Sequence, residues 1–289
     1  MSTGAGPNRV LTQVDRIDRF IATLPPRLRW AAGAVRLTIR EPADGFDRLV
    51  VRVRNSVGRD TQDSLHYDPD PDWHQHVHER LGVPWPCAVN DEFEQLWPEI
   101  VAGVRAQGLS LGRGTYGGWD DGDPGLARAI WCLIRHLGPA KVVETGVARG
   151  VTSRVILEAF ERVGTGHLWS IDLPAMDPSL HSEIGIAVPE ALYGRWTYTT
   201  GTSRRRLPKL LRRIGPVDLF VHDSSHTERN IVFELEQAWP AIGRGAVVAD
   251  DVHQSAGFAK FAAGLALGST FVVEADDASA QFGVALKLG

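Results

Sequence analysis

The stretch Lys141-Val142-Val143-Glu144-Thr145-Gly146-Val147-Ala148-Arg149-Gly150 decides the fold. Val142 and Val143 are β-branched and suit a strand covered on both faces. Gly146 and Gly150 allow a turn in which backbone comes close to a ligand where a Cβ would collide. Val151, Val155, Ile156 and Phe160 then recur at helical spacing. A group held at such a turn meets free backbone N–H groups and the positive end of a helix. The pattern is E-x-G-x-x-x-G rather than G-x-G-x-x-G, which counts against a dinucleotide dehydrogenase. Taken alone, the glycine pair fits a tight strand-to-helix turn in any α/β protein equally well.

The residues that follow decide between these readings. His167 to Asp172 predicts a second strand with an acid at its carboxyl end, where doubly wound folds bind ribose hydroxyls. Asp172 comes later after the first strand than the spacing of about 20 residues usual in dinucleotide folds. Arg195 to Thr200, Val217 to His222 and Gly245 to Ala249 predict three further strands. They end at Gly201-Thr202-Ser203, at Asp223 and at Asp250-Asp251, respectively. Helical periodicity separates the five, as in Ile231 to Ala241, so the sheet is parallel. Thr270 to Glu274 and Phe282 to Lys287 form a closing pair around a polar turn, adding an antiparallel edge. The expected fold class is α/β, a doubly wound, mostly parallel seven-stranded sheet behind a mainly helical N-terminal extension.

From about Gly125 to Gly289 these residues resemble a class I S-adenosylmethionine-dependent methyltransferase. The resemblance implies that Glu144, Gly146 and Gly150 form the first cofactor motif and that Asp172 holds the ribose. It places Gly201-Thr202-Ser203 near the adenine, making Thr202 and Ser203 cofactor-binding candidates. Asp223-Ser224-Ser225-His226 and Ala249-Asp250-Asp251 narrow the match. They are similar to bacterial small-molecule O-methyltransferases related to the macrolide-sugar methyltransferases and the cephalosporin-hydroxylase-like proteins. In that branch the corresponding acids bind magnesium and the histidine is the base. Carried over, Asp223, Asp250 and Asp251 are the Mg²⁺ ligands and His226 is the base. Some relatives have Glu where this chain has Asp250, a shorter reach.

The chemistry is coherent in its own right. Carboxylates at the ends of neighbouring parallel strands converge on one crevice. They repel one another unless a cation or protons neutralise them. Hard oxygen ligands suit Mg²⁺, on which a substrate hydroxyl loses its proton more easily. An imidazole has the unperturbed pKa to take that proton near neutrality. The competing reading makes Asp250 and Asp251 a helix cap and Asp223 a strand end. His222 lies within a strand and reads as a core histidine, and His253 follows the acid pair as a second rival to His226. Arg149 is read either as a cofactor neighbour or as a solvated helix-start residue.

The formal net charge of −4 over 289 residues offers no basic excess for nucleic acid or an anionic membrane. Arg204-Arg205-Arg206 reads as a solvated helix face. Cys87 and Cys132 are too few for a disulfide framework and fit a reducing, cytoplasmic setting. Met1 to Asn8 lacks the pattern of a signal peptide and reads as a tail. No apolar run reaches membrane-spanning length.

Residues 1–115 are expected to form an extension acting as lid or dimerisation element, and residues 116–289 the cofactor-binding domain. Within the extension, Val10 to Leu24 predicts a helix ended by Pro25-Pro26, Leu49 to Val53 a short strand, and Phe93 to Val104 another helix. Gly112 to Gly118 reads as a glycine-rich linker. Trp73, Trp85 and Trp97 are candidates for an acceptor pocket, although packing is the commoner fate of tryptophan. The expected partner is a small-molecule hydroxyl acceptor (sugar, glycoside or phenol), and the chain is expected to be a homo-oligomer. Two other classes stand beside this one: a cofactor-binding homologue of the hydroxylase-like branch, and a non-catalytic interaction protein keeping the fold.

Overall fold

The computed structural model describes residues 16–47, 50, 64–276 and 280–289. Among these, the helices are α1 (Arg16–Ala22), α2 (Pro26–Arg40), α3 (Trp73–Leu81), α4 (Asn90–Ala106) and α5 (Pro124–Leu137). They continue with α6 (Val151–Val163), α7 (Ser203–Ile214), α8 (Glu228–Ala238) and α9 (Gly257–Ala262). The strands are β1 (Gly112–Tyr116), β2 (Trp119–Asp121), β3 (Lys141–Thr145), β4 (His167–Asp172) and β5 (Trp196–Thr200). After them come β6 (Val217–His222), β7 (Ile242–Ala249), β8 (Thr270–Glu274) and β9 (Gln281–Lys287).

Seven strands form one sheet in the order β5-β4-β3-β6-β7-β9-β8. The pairings from β5 to β7 are parallel, and β9 runs antiparallel to both β7 and β8. Successive strand residues point to opposite faces. Val142, Leu219, Val221, Ala246 and Val248 therefore pack on one side with Phe93 of α4, Ile130 of α5 and Val155 of α6. Val143, Phe220, Val247 and Ala249 pack on the other with Leu207 of α7, Ile231 of α8 and Phe258 of α9. Each of these strands is buried on both faces, which accounts for its unbroken apolar run. Chain order reverses between β3 and β6, and the crevice beyond the strand ends at such a point is where open α/β sheets bind ligands.

α5, the helix that feeds β3, starts at Asp123, whose carboxylate accepts from Gly125 N at 2.8 Å, with Pro124 in the first turn. It ends at Gly138 in the left-handed conformation. The segment expected to be a linker is instead the hairpin β1–β2, in which Gly112 faces Asp121 and Tyr116 faces Trp119. Its glycines supply turns within the hairpin rather than slack, and Tyr116 is buried. β7 begins at Ile242, earlier than expected, because an irregular register against β6 absorbs its two early glycines. The expected tail at residues 1–8 lies outside the described residues, as does the strand expected at Leu49 to Val53 apart from Val50, which is helical, as are residues 42–47 before it. Trp73 and Trp97 are packing residues, Trp73 meeting Phe282 edge-on at 6.0 Å and Trp97 stacking on Phe93 at 5.9 Å, whereas Trp85 is exposed with its ring 5.1 Å from that of His78. No described helix is long and apolar enough to cross a membrane.

Candidate active site

The turn after β3 is held by backbone contacts that only glycine tolerates. Gly146 has φ +85°, and a Cβ there would stand 1.7 Å from the Asp223 carbonyl oxygen. Its N–H donates to Ile171 O at 2.9 Å, so the turn is tied to β4 while it presses against the end of β6. Gly150, at φ +79°, would bring a Cβ to 2.9 Å from Gly185 Cα and opens α6. Glu144 lies just before this turn, fully buried. Ser153 and Ser170 each donate to its Oε2 at 2.6 Å, while Oε1 is buried without a hydrogen-bond partner among the described residues. Burial pushes its pKa up to about 8 despite the two hydroxyls. Asp172, at the end of β4, accepts from the Tyr198 hydroxyl at 3.3 Å. A cradle that a Cβ would fill and an orphaned carboxyl oxygen beside it fit a ligand at this turn.

Arg149 is neither solvated nor free to face a cofactor. It is buried, and its guanidinium donates to Ser110 O at 2.8 Å, Thr115 O at 2.7 Å, Asp121 at 3.3 Å and Glu183 at 2.8 Å. It thereby ties the β1–β2 hairpin to the glycine turn, with the Tyr116 ring 5.5 Å from its guanidinium carbon. Thr202 is engaged by the N-terminal extension: its hydroxyl lies 3.3 Å from both Asp44 and Asp47. Arg205 binds Asp47 at 2.7 Å on the same side.

Asp223, His226, Asp250 and Asp251 come together beyond the ends of β6 and β7. The Asp223 N–H donates to Thr145 O at 2.8 Å and the Asp250 N–H to His222 O at 2.8 Å, so each acid continues its strand's ladder for one more residue. Asp223, His226 and Asp250 each offer a ligand atom within 4.8 Å of the others. His226 Nδ1 stands 2.9 Å from Asp251 Oδ2, and its Nε2 is 3.8 Å from Asp223 Oδ1. Both ring nitrogens are buried, and neither forms a well-aligned hydrogen bond among the described residues. Burial alone pushes the imidazole pKa down, but Asp223 and Asp251 outweigh it and raise it to about 10. The Asp250 carboxyl is held well above the usual range, first by burial and then by Asp223 and Asp251. Asp251 adopts φ +51° at the start of a single 3₁₀ turn, makes no capping hydrogen bond there, and accepts from Gln254 at 2.6 Å. His253 is more distant, 3.8 Å from Asp251.

His222 is a core residue, its Nδ1 2.6 Å from Glu234 of α8. Nothing in the sequence marks this partner, because an acid within an amphipathic helix normally reads as surface.

Residues 143–252 match the family model described as a methyltransferase domain. Over these residues the chain is similar to methyltransferase domains. No curated protein matches the chain significantly. Among solved structures, the methyltransferase fold is shared with a putative O-methyltransferase from Klebsiella pneumoniae. That match has a TM-score of 0.50 at 13% identity, covering 75% of this chain and 96% of that one. An O-methyltransferase from Bacillus cereus, in complex with SAH, aligns at a TM-score of 0.48 and 15% identity over 74% of this chain and 97% of its own. TomG, an O-methyltransferase from Streptomyces achromogenes involved in tomaymycin synthesis, aligns at 0.48 and 16% over 67% and 89%.

Proposed function

We propose that the protein transfers a methyl group from S-adenosylmethionine to a hydroxyl of a small molecule, a sugar or glycoside first among the candidates, with His226 as the base. The observation that carries this reading is one contact. The glycine turn touches Asp223, so the acid–imidazole cluster begins where a cofactor at that turn ends. Glu144, Gly146, Gly150 and Asp172 would hold the cofactor, with Asp172 on the ribose and Thr202 and Ser203 toward the adenine.

Asp251 holds the imidazole through Nδ1. Asp223 and Asp251 hold the imidazole protonated, so Nε2 takes the acceptor's proton once those carboxylates are themselves neutralised. The acceptor oxygen then bonds to the methyl carbon as its C–S bond breaks. Holding the two reactants at attack distance is the larger part of the protein's work.

The partly buried, mutually repelling carboxylates fit a divalent cation such as Mg²⁺. Asp223 and Asp250 would hold it, with Asp251 or His226 completing the set. When bound, the ion acts as a Lewis acid on the acceptor hydroxyl. An all-carboxylate set favours Mg²⁺, whereas a set containing His226 favours a softer metal. Residues 116–289 are assigned to catalysis and residues 1–115 to a lid or interface. The exposed apolar residues Phe20, Val35 and Ile39 on α1 and α2 support homo-oligomerisation through that part. The unpaired cysteines fit a cytoplasmic setting.

Labelled cofactor and a panel of hydroxylated acceptors test the reading. Methyl transfer is expected to stop with chelator and return with Mg²⁺. Undiminished transfer in excess chelator would return Asp223 and Asp250 to structural roles.

A further inference from the structure

A second group of donor side chains lies outside the active site, where the extension meets the helix that feeds β3. His74 and His78 sit one helical turn apart on α3, on one face. Cys87 follows in the loop after α3, and Cys132 projects from α5. One ligand atom from each of the four lies within 4.8 Å of the others. Cys87 Sγ is 4.0 Å from Cys132 Sγ, which is 3.8 Å from His78 Nε2. Tetrahedral zinc, with Zn–S of about 2.3 Å and Zn–N of about 2.0–2.1 Å, sets its ligand atoms about 3.3–3.8 Å apart. The observed spacing needs only small side-chain adjustments to reach that range.

The surroundings prepare the donors. His78 Nδ1 lies 2.7 Å from the His74 carbonyl oxygen, which can only accept. The proton is therefore on Nδ1, and the Nε2 lone pair faces the sulfurs, the arrangement by which outer partners orient metal-binding imidazoles. His74 Nε2 is buried with no well-aligned hydrogen bond among the described residues. His136, one turn after Cys132, has Nε2 3.5 Å from Cys87 Sγ and can donate to that sulfur from outside the set.

From this geometry we infer a zinc site formed by His74, His78, Cys87 and Cys132 that staples the N-terminal extension to the methyltransferase domain. Two thiolates and two neutral imidazoles balance the charge of Zn²⁺, and binding releases the two thiol protons to solvent. The site is structural, since four protein ligands leave no open position for a substrate. It does not depend on the function proposed above.

Metal analysis of the full chain, purified without a histidine tag and under reductant, tests the assignment. About one zinc per chain is expected. Cobalt(II) put in its place should give the ligand-field and thiolate charge-transfer bands of a tetrahedral sulfur-containing site. Cys132→Ser should lower metal content at least tenfold. The Asp223→Asn/Asp250→Asn double variant should keep it, which separates this site from the catalytic cluster. Should Cys132→Ser fail to fold, the wild-type cobalt spectrum and the Asp223→Asn/Asp250→Asn metal content still decide the matter. Wild-type protein that takes up no zinc from reduced, zinc-supplemented buffer would overturn the proposal. So would a cobalt spectrum without thiolate bands, or a metal lost with the Asp pair and kept in Cys132→Ser.

Discussion

Two imidazole–carboxylate groupings stand at the carboxyl end of β6, four residues apart in the chain and opposite in construction. His222 and Glu234 form the closed one. Both side chains are fully buried, and the Glu234 carboxylate is bonded by His222 at 2.6 Å, Thr145 at 2.5 Å, Ser224 at 2.8 Å and Asn230 at 3.0 Å. Burial raises the Glu234 pKa, but His222 and the hydroxyls more than offset it and bring it down to about 2. His226 with Asp223, Asp250 and Asp251 forms the open one, where imidazole nitrogens and carboxylates are close yet poorly paired. His222 Nε2 is also buried without a partner among the described residues, so the contrast lies in the carboxylates. One whose oxygens are all bonded braces a fold, whereas clustered carboxylates that repel one another point to something still to bind. Residue type therefore separates the two less well than hydrogen-bond saturation of the carboxylate does.

The largest effect expected from breaking this contrast is kinetic. His226→Ala should lower turnover about 10²–10⁴-fold, as for a positioned general base. Cofactor affinity should change little, because the loss falls on the transition state. Steady-state kinetics and calorimetry on one variant separate the two. Near-normal turnover in His226→Ala, with a large loss in His253→Ala, would move the base to the other side of Asp251.

The closed pair should answer in stability instead. Glu234→Ala strands His222 in the core, at a cost of about 3–5 kcal/mol. Chemical denaturation checks this, and a cost below about 1 kcal/mol would mean that the network contributes little.

Glu144 sharpens the comparison through pH. Its folded pKa, about 8, lies above the ordinary carboxyl value, so the native state binds the extra proton. Its contribution is complete below the ordinary value and is lost as pH rises toward 8. Glu144→Gln keeps the shape without the titration. Its stability curve should stay flatter across that window, with a gain over wild type of about 2–4 kcal/mol at the alkaline end. Parallel curves for the two proteins would show that Glu144 is ionised in the fold.

The strands of the sheet were legible because short, largely apolar runs bounded by polar turns leave few alternatives. His167–Asp172, Val217–His222 and Thr270–Glu274 run between the residues expected. The acids and histidine at the ends of β6 and β7 were legible too, since parallel strand ends converge whatever the loops do. The β1–β2 hairpin was not, because its glycines mimic a linker and its stability comes from Arg149, a distant residue. Nor was the donor cluster at α3 and α5. The i, i+4 pairs His74/His78 and Cys132/His136 stand in the sequence, but only packing of α3 on α5 brings them face to face. Glu234 escaped notice for a similar reason, since its partners come from β3, β6 and the loop beyond.

The central claim is that the glycine turn after β3 holds S-adenosylmethionine, with Asp172 on its ribose. Isothermal calorimetry with S-adenosylhomocysteine tests it without any acceptor. The wild-type chain should bind, and Asp172→Ala should bind more weakly by about 1.5–3 kcal/mol, the loss of a hydrogen bond to a charged group. Binding of a nicotinamide dinucleotide with no response to S-adenosylhomocysteine would contradict the account.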